Sequence, residues 1–472
     1  RPRCPRLKPR GRPGAGGWGG EGAGRGRHGR TLSHEMLTRL DEKLKALSGP
    51  TGEPRSGSAW AELDAWSEAI GLRLMGEVGD VVGRPVLVDG RRGAATIAAM
   101  LGIARAGGWF VPIDPDLPTQ VRKRQIDIVD PVAVVRAIGA PVEPPGDLPT
   151  IDAVSRKDGP EDQRLPREID PEGPLYAIFT SGTTGDPRGV LVPHRGIDCL
   201  TSDPWFIPAD GDLRMLHAST LAFDASTLEI WTTILNGGTL SCWEGAGQDL
   251  AGMLAQLRSH RVNACFLTSA LFHAAVDGLP EFFDELGVVM TGGDVVSSEH
   301  VRRLRERRPD LTVINAYGPT ENSVVATCEP LVRELGDEDR IPIGRPVRGT
   351  TVRIVDAFGF DAPIGRWGEI VLNGRGVALG YLDEEGGYRL RDGFGVADDS
   401  VDYHTGDRGR WRRDGCVEFG GRLDGQVKIA GRRIQMESVE AAIRRCRGVL
   451  DAGVSVVADG DSKQIVAVFV PE

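Results

Sequence analysis

Short apolar runs alternate with amphipathic segments over much of this chain. Val86–Val88 and Trp109–Ile113 are apolar runs of strand length, and Ala94–Ala106 between them has its apolar residues at helical spacing. Similar apolar runs recur later in the chain, at Val262–Phe266, Val288–Thr291 and Leu311–Ile314. Strands that alternate with helices in this way predict an α/β fold with layered, largely parallel sheets.

The pattern changes after Gly368, where apolar runs become short and are separated by glycine turns. Such spacing predicts an antiparallel, barrel-like unit. Beyond Asp424, a predicted helix near Glu437–Cys446 precedes two alternating runs, Gly453–Ala458 and Gln464–Val470. A short turn joins the two runs, so we expect a β-hairpin in a small α+β unit.

Length, charge and cysteine content narrow the class of protein. The chain has 472 residues, too many for one hydrophobic core, so we expect two or three folding units. A net charge of −10 argues against a general nucleic-acid binder. The seven cysteines are scattered without a CxxC pair, and we find neither a run of membrane-helix length nor a signal peptide. We therefore expect a cytoplasmic enzyme with no nucleic-acid or membrane partner.

The first 30 residues have a different composition. They contain nine Lys or Arg, one acid and ten glycines, with almost nothing apolar to bury. Such a segment is expected to be disordered. One interpretation is an Arg/Gly-rich arm that binds RNA. We favour a non-native leader over residues 1–31, because the chain does not begin with Met.

The stretch from Tyr176 to Val190 carries the strongest chemical signal. A β-favouring run, Leu175–Phe179, leads into a loop with four hydroxyls and two glycines, which the cation Arg188 follows. Backbone N–H groups, hydroxyls and a guanidinium together suit a polyphosphate. The loop residues predicted to contact phosphates are Thr180, Ser181, Gly182, Thr183, Thr184 and Gly185. The spacing is not that of a Walker P-loop, and an ordinary Ser/Thr/Gly turn is the alternative.

This loop is one of a series of motifs that resembles a single enzyme superfamily. TSGTTGDPRG is similar to the phosphate loop of the adenylate-forming enzymes, which include nonribosomal peptide synthetase adenylation domains, acyl-CoA synthetases and luciferases. Other segments resemble the remaining core motifs in the family's order, at Ser58–Leu63, Gly102–Pro118, Phe223–Trp231, Asn315–Asn322, Gly368–Leu382, Tyr403–Trp411 and Gly421–Glu440. The resemblance covers about residues 35–472, and amino-acid-activating adenylation domains fit best.

The resemblance implies an α/β core at residues 32–423, which includes the barrel-like unit. A partial α+β C-terminal lid would follow the hinge Asp424 and occupy residues 424–472. We find no match to the motif with the family's lid lysine, so we expect a lid that is truncated or interrupted by an inserted domain. We also find no carrier-protein serine motif, so the accepting phosphopantetheine thiol is expected on a separate carrier domain.

The reaction implied by the resemblance is carboxylate activation. An amino-acid carboxylate attacks the α-phosphorus of ATP, pyrophosphate leaves and an aminoacyl-adenylate remains. This chemistry needs charge neutralisation and alignment more than proton transfer. The implied catalytic residues are Thr320 at the α-phosphate, Glu321 on Mg2+ and Arg422 at the ribose or phosphates. The other implied nucleotide contacts are Tyr317 on adenine and Asp407 on the ribose hydroxyls, with Arg188, Gly293 and Asn315.

Three of these positions have a structural alternative. Glu321 is otherwise an exposed acid, Tyr317 a half-buried core residue and Asp407 a turn former beside Gly406. Two positions also depart from the family's pattern. Arg188 replaces the usual loop lysine, which keeps the charge but changes its geometry, and Ala430 stands where the family usually has Arg.

Asp224 distinguishes amino-acid enzymes from acyl-CoA synthetases in this family. A carboxylate in an apolar stretch is costly without a partner, and the substrate's α-ammonium would supply one. Its structural alternative is the N-cap of a helix that begins near Ser226. The remaining pocket positions that the motifs imply are Phe223, Ala225, Leu228, Phe266, Met290, Gly292, Ala316, Val324 and Val325. This wall carries no charge, so we expect a large apolar amino acid as substrate.

Three functions therefore stay open at this stage. The first is an amino-acid adenylation domain that uses ATP and Mg2+ and has a peptidyl carrier protein as partner. The second is an acyl-CoA or aryl-acid ligase of the same fold, and the third is a non-catalytic nucleotide-binding module without the lid lysine. The sequence does not identify the amino acid, the peptide product or a need for an MbtH-like helper protein.

Overall fold

The computed structural model describes residues 57–137, 148–153, 165–166, 169–181, 187–202, 212–245, 249–331, 340–383, 387–390, 393–397, 400–423, 427–429, 432–434, 436–459 and 462–471. The predicted leader at residues 1–31 lies outside these ranges, as do residues 182–185 of the phosphate loop, the hinge Asp424 and Ala430. The division of the chain at Asp424 therefore stays a prediction.

The first sheet has eight strands. They are β1 (Pro85–Asp89), β2 (Trp109–Pro112), β3 (Ala133–Arg136), β4 (Thr150–Asp152), β5 (Pro174–Ser181), β6 (Pro187–Pro193), β16 (Gly380–Leu382) and β17 (Tyr388–Arg389). Their order across the sheet is β17-β16-β6-β5-β2-β1-β3-β4. From β4 to β5 neighbouring strands run parallel, while β5–β6, β6–β16 and β16–β17 are antiparallel.

Three helices belong to this part of the chain, α1 (Gly57–Val78), α2 (Ala94–Arg105) and α3 (Thr119–Val129). Residues Thr96 to Ala104 of α2 are all buried, so this helix lies inside the core. It packs closely against α1, because a Cβ atom on Gly102 would lie 2.8 Å from the backbone oxygen of Ser67. Glycine at this position lets the two helix backbones approach each other.

The second sheet has seven strands. They are β7 (Arg214–His217), β8 (Thr239–Cys242), β9 (Ala264–Thr268), β10 (Val288–Gly292), β11 (Thr312–Tyr317), β12 (Thr327–Pro330) and β13 (Arg345–Pro346). Their order across the sheet is β13-β12-β11-β10-β9-β7-β8. The five strands from β8 to β11 run parallel, and β12 and β13 are antiparallel additions at the edge.

One helix lies between β6 of the first sheet and β7, and four helices connect the parallel strands of the second sheet. They are α4 (His194–Thr201), α5 (Ala225–Leu235), α6 (Leu250–Ser259), α7 (Ser269–Gly278) and α8 (Ser298–Arg307). Short 3-10 turns also occur at Pro280–Phe283 and Thr320–Asn322. Phe272, Phe282 and Phe283 pack edge to face in the core of this layer, with ring centroids 5.6–5.7 Å apart.

The third sheet is antiparallel and has its own hydrophobic core. Its strands are β14 (Thr350–Val355), β15 (Gly368–Gly374), β18 (Phe394–Ala397), β19 (Ser400–Trp411) and β20 (Val417–Arg422). The last elements are two hairpins and a helix, namely β21 (Val427–Ile429), β22 (Arg432–Ile434), α9 (Met436–Arg444), β23 (Val449–Asp459) and β24 (Ser462–Pro471).

The predicted α/β architecture is confirmed, and so is the change to antiparallel strands after the second sheet. The helix predicted near Glu437–Cys446 corresponds to α9, and the two alternating runs that follow it form the hairpin β23–β24. Among the helices in the described ranges, none combines the length and apolar character needed to cross a lipid bilayer.

Arg92 joins the first two sheets. It lies between β1 and α2, and its guanidinium donates hydrogen bonds to the backbone oxygens of Trp243, Ala218 and Gly245 at 2.7, 3.1 and 2.9 Å. These three acceptors follow strands of the second sheet. One side chain therefore satisfies three backbone carbonyls at the boundary between the two layers.

We predict that Arg92→Ala lowers the free energy of unfolding by about 1–3 kcal/mol, because partly buried carbonyls lose their donor. Urea denaturation measures the change. The control is Arg84→Ala, which removes an exposed arginine just before β1 and should cost no more than about 0.5 kcal/mol. Equal urea midpoints of unfolding for the two variants would show that the contacts of Arg92 between the two sheets do not stabilise the fold.

Candidate functional site

A cavity of about 700 Å3 lies where residues from all three sheets meet. Thirteen of the predicted site residues line it, namely Thr180, Phe223, Asp224, Ala225, Phe266, Gly293, Ala316, Thr320, Glu321, Val324, Val325, Asp407 and Arg422. Residues far apart in the sequence are thus brought into one space large enough for a nucleotide and a small acid.

Other predicted site residues that the structure describes lie outside the cavity lining. Tyr317 contacts the lining residue Asp407, and Arg188 lies beside Tyr381. Asn315 is turned away from the cavity, because its side chain donates to the backbone oxygen of Pro342 at 2.8 Å.

Three of the predicted substrate-pocket residues are buried in the core around the cavity, namely Leu228, Met290 and Gly292. A Cβ atom at Gly292 would collide with the backbone oxygen of Ala316 on β11, so only glycine fits at this position. Of the predicted phosphate loop, the structure describes Thr180 and Ser181 at the end of β5.

Residues of the turn after β11 form part of the cavity wall. Gly318 and Pro319 lead into the 3-10 turn Thr320–Asn322, which places the hydroxyl of Thr320 and the carboxylate of Glu321 at the cavity. Val324 then adopts φ of 78°, in the left-handed region that a β-branched residue rarely occupies. Such backbone strain is often found at functional sites.

Asp407 has two protein partners. The hydroxyl of Tyr317 donates to one carboxylate oxygen at 2.6 Å, and Arg422 donates to the other at 2.7 Å. Asp407 is 2% exposed, so this is a buried ion pair with a neutral third member. Burial and the neighbouring Asp407 charge hold the pKa of Tyr317 well above its usual value, which keeps the phenol protonated as a donor.

Glu321 is also buried and has a hydroxyl partner. Tyr381 on β16 donates to its carboxylate at 2.5 Å. Burial, followed by the charge of Glu321, raises the pKa of Tyr381, so this phenol also stays protonated. The guanidinium of Arg188 lies 5.6 Å from the centre of the Tyr381 ring.

Asp224 immediately precedes helix α5, which is the N-cap position, but its side chain makes no capping hydrogen bond. Its carboxylate instead accepts a hydrogen bond from the hydroxyl of Thr320 at 2.6 Å. Asp224 is 7% exposed and lines the cavity beside apolar side chains. A buried carboxylate in such surroundings favours a cationic partner.

A metal ion at this site would depend mainly on Glu321. In the part of the chain that the structure describes, no group of three or more His, Cys, Asp or Glu side chains is arranged as a metal site. A Mg2+ ion that takes one protein carboxylate and keeps waters and nucleotide phosphates as its other ligands fits Glu321 at the cavity wall.

Glu229 is the centre of a buried hydrogen-bond network. The sequence did not predict this network. Glu229 accepts hydrogen bonds from the hydroxyl of Ser219 at 2.8 Å and from Nδ1 of His217 at 2.7 Å. Both His217 and Glu229 have fully buried side chains. Because Ser219 directly precedes the cavity residue Thr220, the network fixes the segment that leads to Asp224. A glutamate in a helix that has no other charged residue was the sequence signal for it.

Comparison with known proteins gives consistent matches. The family model described as "AMP-binding enzyme" matches residues 50–382. Tyrocidine synthase 3 of Brevibacillus parabrevis is 33% identical over 81% of this chain, and gramicidin S synthase 2 of Brevibacillus brevis is 32% identical over 81%. The chain spans only 6% and 9% of the lengths of these two relatives.

Solved structures of nonribosomal peptide synthetase proteins also match this chain. PA1221, an NRPS protein containing adenylation and PCP domains, aligns with a TM-score of 0.81 and 31% identity, covering 93% of this chain and 89% of that chain. Its holo form, bound to a vinylsulfonamide inhibitor, aligns with a TM-score of 0.82 and 29% identity, over 93% of this chain and 76% of that one.

We predict that Glu229→Ala destabilises the fold by about 3–5 kcal/mol, because it leaves buried donors without their acceptor. Glu229→Gln keeps the shape and one carbonyl oxygen, so it should cost less. Chemical denaturation measures both, with the exposed helical Glu299→Ala as a control that should change stability by at most about 1 kcal/mol. A Glu229→Ala variant as stable as Glu299→Ala would show that the network contributes little.

Proposed function

Because this chain belongs to the AMP-binding enzymes, as an adenylation domain of the nonribosomal peptide synthetase kind, we propose that it activates a large apolar amino acid as its adenylate. The observation that carries the proposal is the buried Asp224 carboxylate, which lines the cavity among apolar side chains. A free amino acid has an α-ammonium to pair with this carboxylate, whereas a fatty acid or aryl acid has none.

Four uncharged residues in the cavity lining support the choice of substrate. Phe266, Ala316, Val324 and Val325 line the cavity and offer no charged group. A substrate side chain with a charge would lose its hydration there without gaining a partner. Ala316 leaves space for a large side chain. An aromatic or branched aliphatic amino acid therefore fits best.

The proposed nucleotide subsite is formed by Asp407, Arg422, Tyr317 and Glu321. Asp407 would accept hydrogen bonds from the ribose hydroxyls, and Arg422 would neutralise nearby charge on the ribose-phosphate. Tyr317 would present its ring to adenine while its hydroxyl holds Asp407. Glu321 would bind Mg2+, which offsets the negative charge of the triphosphate when it is present.

The proposed chemical step joins the two subsites. The amino-acid carboxylate oxygen forms a bond to the α-phosphorus, and the bond between that phosphorus and the bridging oxygen to the β-phosphate breaks, so pyrophosphate leaves with the electron pair. Asp224 would hold the ammonium end of the amino acid, and the Thr320 hydroxyl would contact the α-phosphate. The protein thus aligns two anions that would otherwise repel each other.

We also propose that the adenylate is passed to the phosphopantetheine thiol of a peptidyl carrier protein. The support is that the structurally similar protein PA1221 contains adenylation and PCP domains.

The ammonium role of Asp224 can be tested with non-hydrolysable aminoacyl-adenylate analogues. We predict that leucyl and phenylalanyl analogues bind more tightly than aspartyl and lysyl analogues. Asp224→Ala should weaken the leucyl analogue about 10- to 100-fold, as expected for the loss of a charge-assisted contact. An analogue without the α-amino group is the matched control and should bind wild type and variant equally. Preferred binding of the aspartyl or lysyl analogue would contradict the substrate assignment.

The ribose role of Asp407 can be tested with ATP and 2′,3′-dideoxy-ATP in titration calorimetry. We predict that Asp407→Asn weakens ATP binding about tenfold, because the amide accepts fewer hydrogen bonds than the carboxylate. The dideoxy nucleotide should bind wild type and variant with the same affinity. A loss of affinity that is equal for the two nucleotides would place Asp407 away from the ribose.

A further inference from the structure

A second concavity lies on the third sheet and is rich in arginine. It has a volume of about 560 Å3 and shares no described lining residue with the cavity that contains Asp224. We call this concavity the arginine pocket, because four arginines line it: Arg340, Arg410, Arg412 and Arg413. None of them has a place in the proposed adenylation chemistry.

The described acids neutralise only part of this charge. Arg410 donates to the Glu418 carboxylate through two nitrogens, at 3.0 and 2.8 Å. Arg412 pairs with Asp414 at 3.1 Å. Arg340 and Arg413 are exposed and have no hydrogen bond or ion pair with any residue that the structure describes. Two guanidiniums are thus available for an anionic ligand from outside.

Exposed apolar side chains lie on the loop that forms one wall of the pocket. Ile364 lines the pocket and is 65% exposed. The same loop, which joins β14 to β15, also exposes Phe358 by 84% and Phe360 by 71%. The carboxylate of Asp356 accepts hydrogen bonds from the backbone N–H groups of both phenylalanines, at 2.9 and 3.0 Å, so the turn that displays them is held in place.

We propose that the arginine pocket and this loop form a docking surface for an acidic segment of a partner protein that carries an apolar side chain. Arginine and aromatic residues are the types enriched at the energetic centres of protein interfaces. Guanidinium groups pair with carboxylates in the manner that Arg410 and Glu418 already display.

The apolar loop decides between a protein and a small anion. A polyphosphate would use the guanidiniums but gain nothing from Ile364, Phe358 and Phe360. A peptide that combines carboxylates with a leucine-like side chain uses both features. This docking surface is independent of the amino-acid and nucleotide subsites, so it does not depend on the proposed function.

The test uses the full chain and a fluorescein-labelled peptide in which Glu and Asp residues flank a central Leu, followed by fluorescence anisotropy. We expect saturable binding that weakens as salt is raised. Arg413→Glu and Arg340→Glu should each weaken it about tenfold or more. Ile364→Ser should weaken it about threefold, as should replacement of the peptide's Leu by Ser.

The matched control is Arg84→Glu, the same charge change at an exposed arginine beside the first sheet. It should leave peptide binding within about twofold of wild type. Circular dichroism and thermal unfolding of each variant show that the chain is still folded. Absence of saturable binding to wild type would overturn the proposal, as would an Arg84→Glu effect as large as that of Arg413→Glu.

Two further results would assign the surface to another occupant and so overturn the proposal. One is tight binding of inorganic tripolyphosphate with no effect of Ile364→Ser on the peptide, which would indicate a small-anion site. The other is a dimer in sedimentation velocity that Arg413→Glu dissolves, which would indicate a second copy of this chain.

Discussion

The cavity depends on the pairing of buried carboxylates with hydroxyl groups. Asp224, Glu321 and Asp407 are each at most 7% exposed, and an ionised carboxylate in such a place needs donors. Thr320, Tyr381 and Tyr317 supply one hydroxyl each, at 2.5–2.6 Å. A neutral hydroxyl satisfies a carboxylate without cancelling its charge. Such pairing is compatible with the ammonium that we propose at Asp224 and the metal ion that we propose at Glu321.

These contacts also hold the layers of the fold around the cavity. Tyr317 belongs to the second sheet and Asp407 to the third. Tyr381 lies in the first sheet, and its partner Glu321 lies between β11 and β12 of the second. Arg92, which does not line the cavity, adds a link between the first and second sheets. The side chains to which we assign functions thus lie at the junctions between layers. A displacement of one layer would therefore move the cavity-lining carboxylates through a small number of polar contacts.

The sequence predicts the parts of this structure that depend on local pattern. Strand β10 and helix α2 follow from short apolar runs and helical spacing, because these patterns reflect burial of one segment. The network of Glu229 and the three contacts of Arg92 were missed, since their partners lie 10 to 153 residues away in the sequence. The left-handed backbone of Val324 has no sequence signal either, because propensity argues against it.

The Glu229 network has a consequence for recombining related adenylation domains to alter the amino acid that they accept. Glu229 contacts both His217 and Ser219 within a stretch of thirteen residues, and the pocket positions that we propose, Phe223, Asp224 and Ala225, lie inside this stretch. A crossover inside this stretch would combine a pocket from one parent with a support from another. Crossover points before His217 and after helix α5 keep the pocket and its support from the same parent. To change the substrate choice that we propose, a strand, a loop and a helix should therefore be exchanged together, rather than only the individual residues assigned to contact with the substrate.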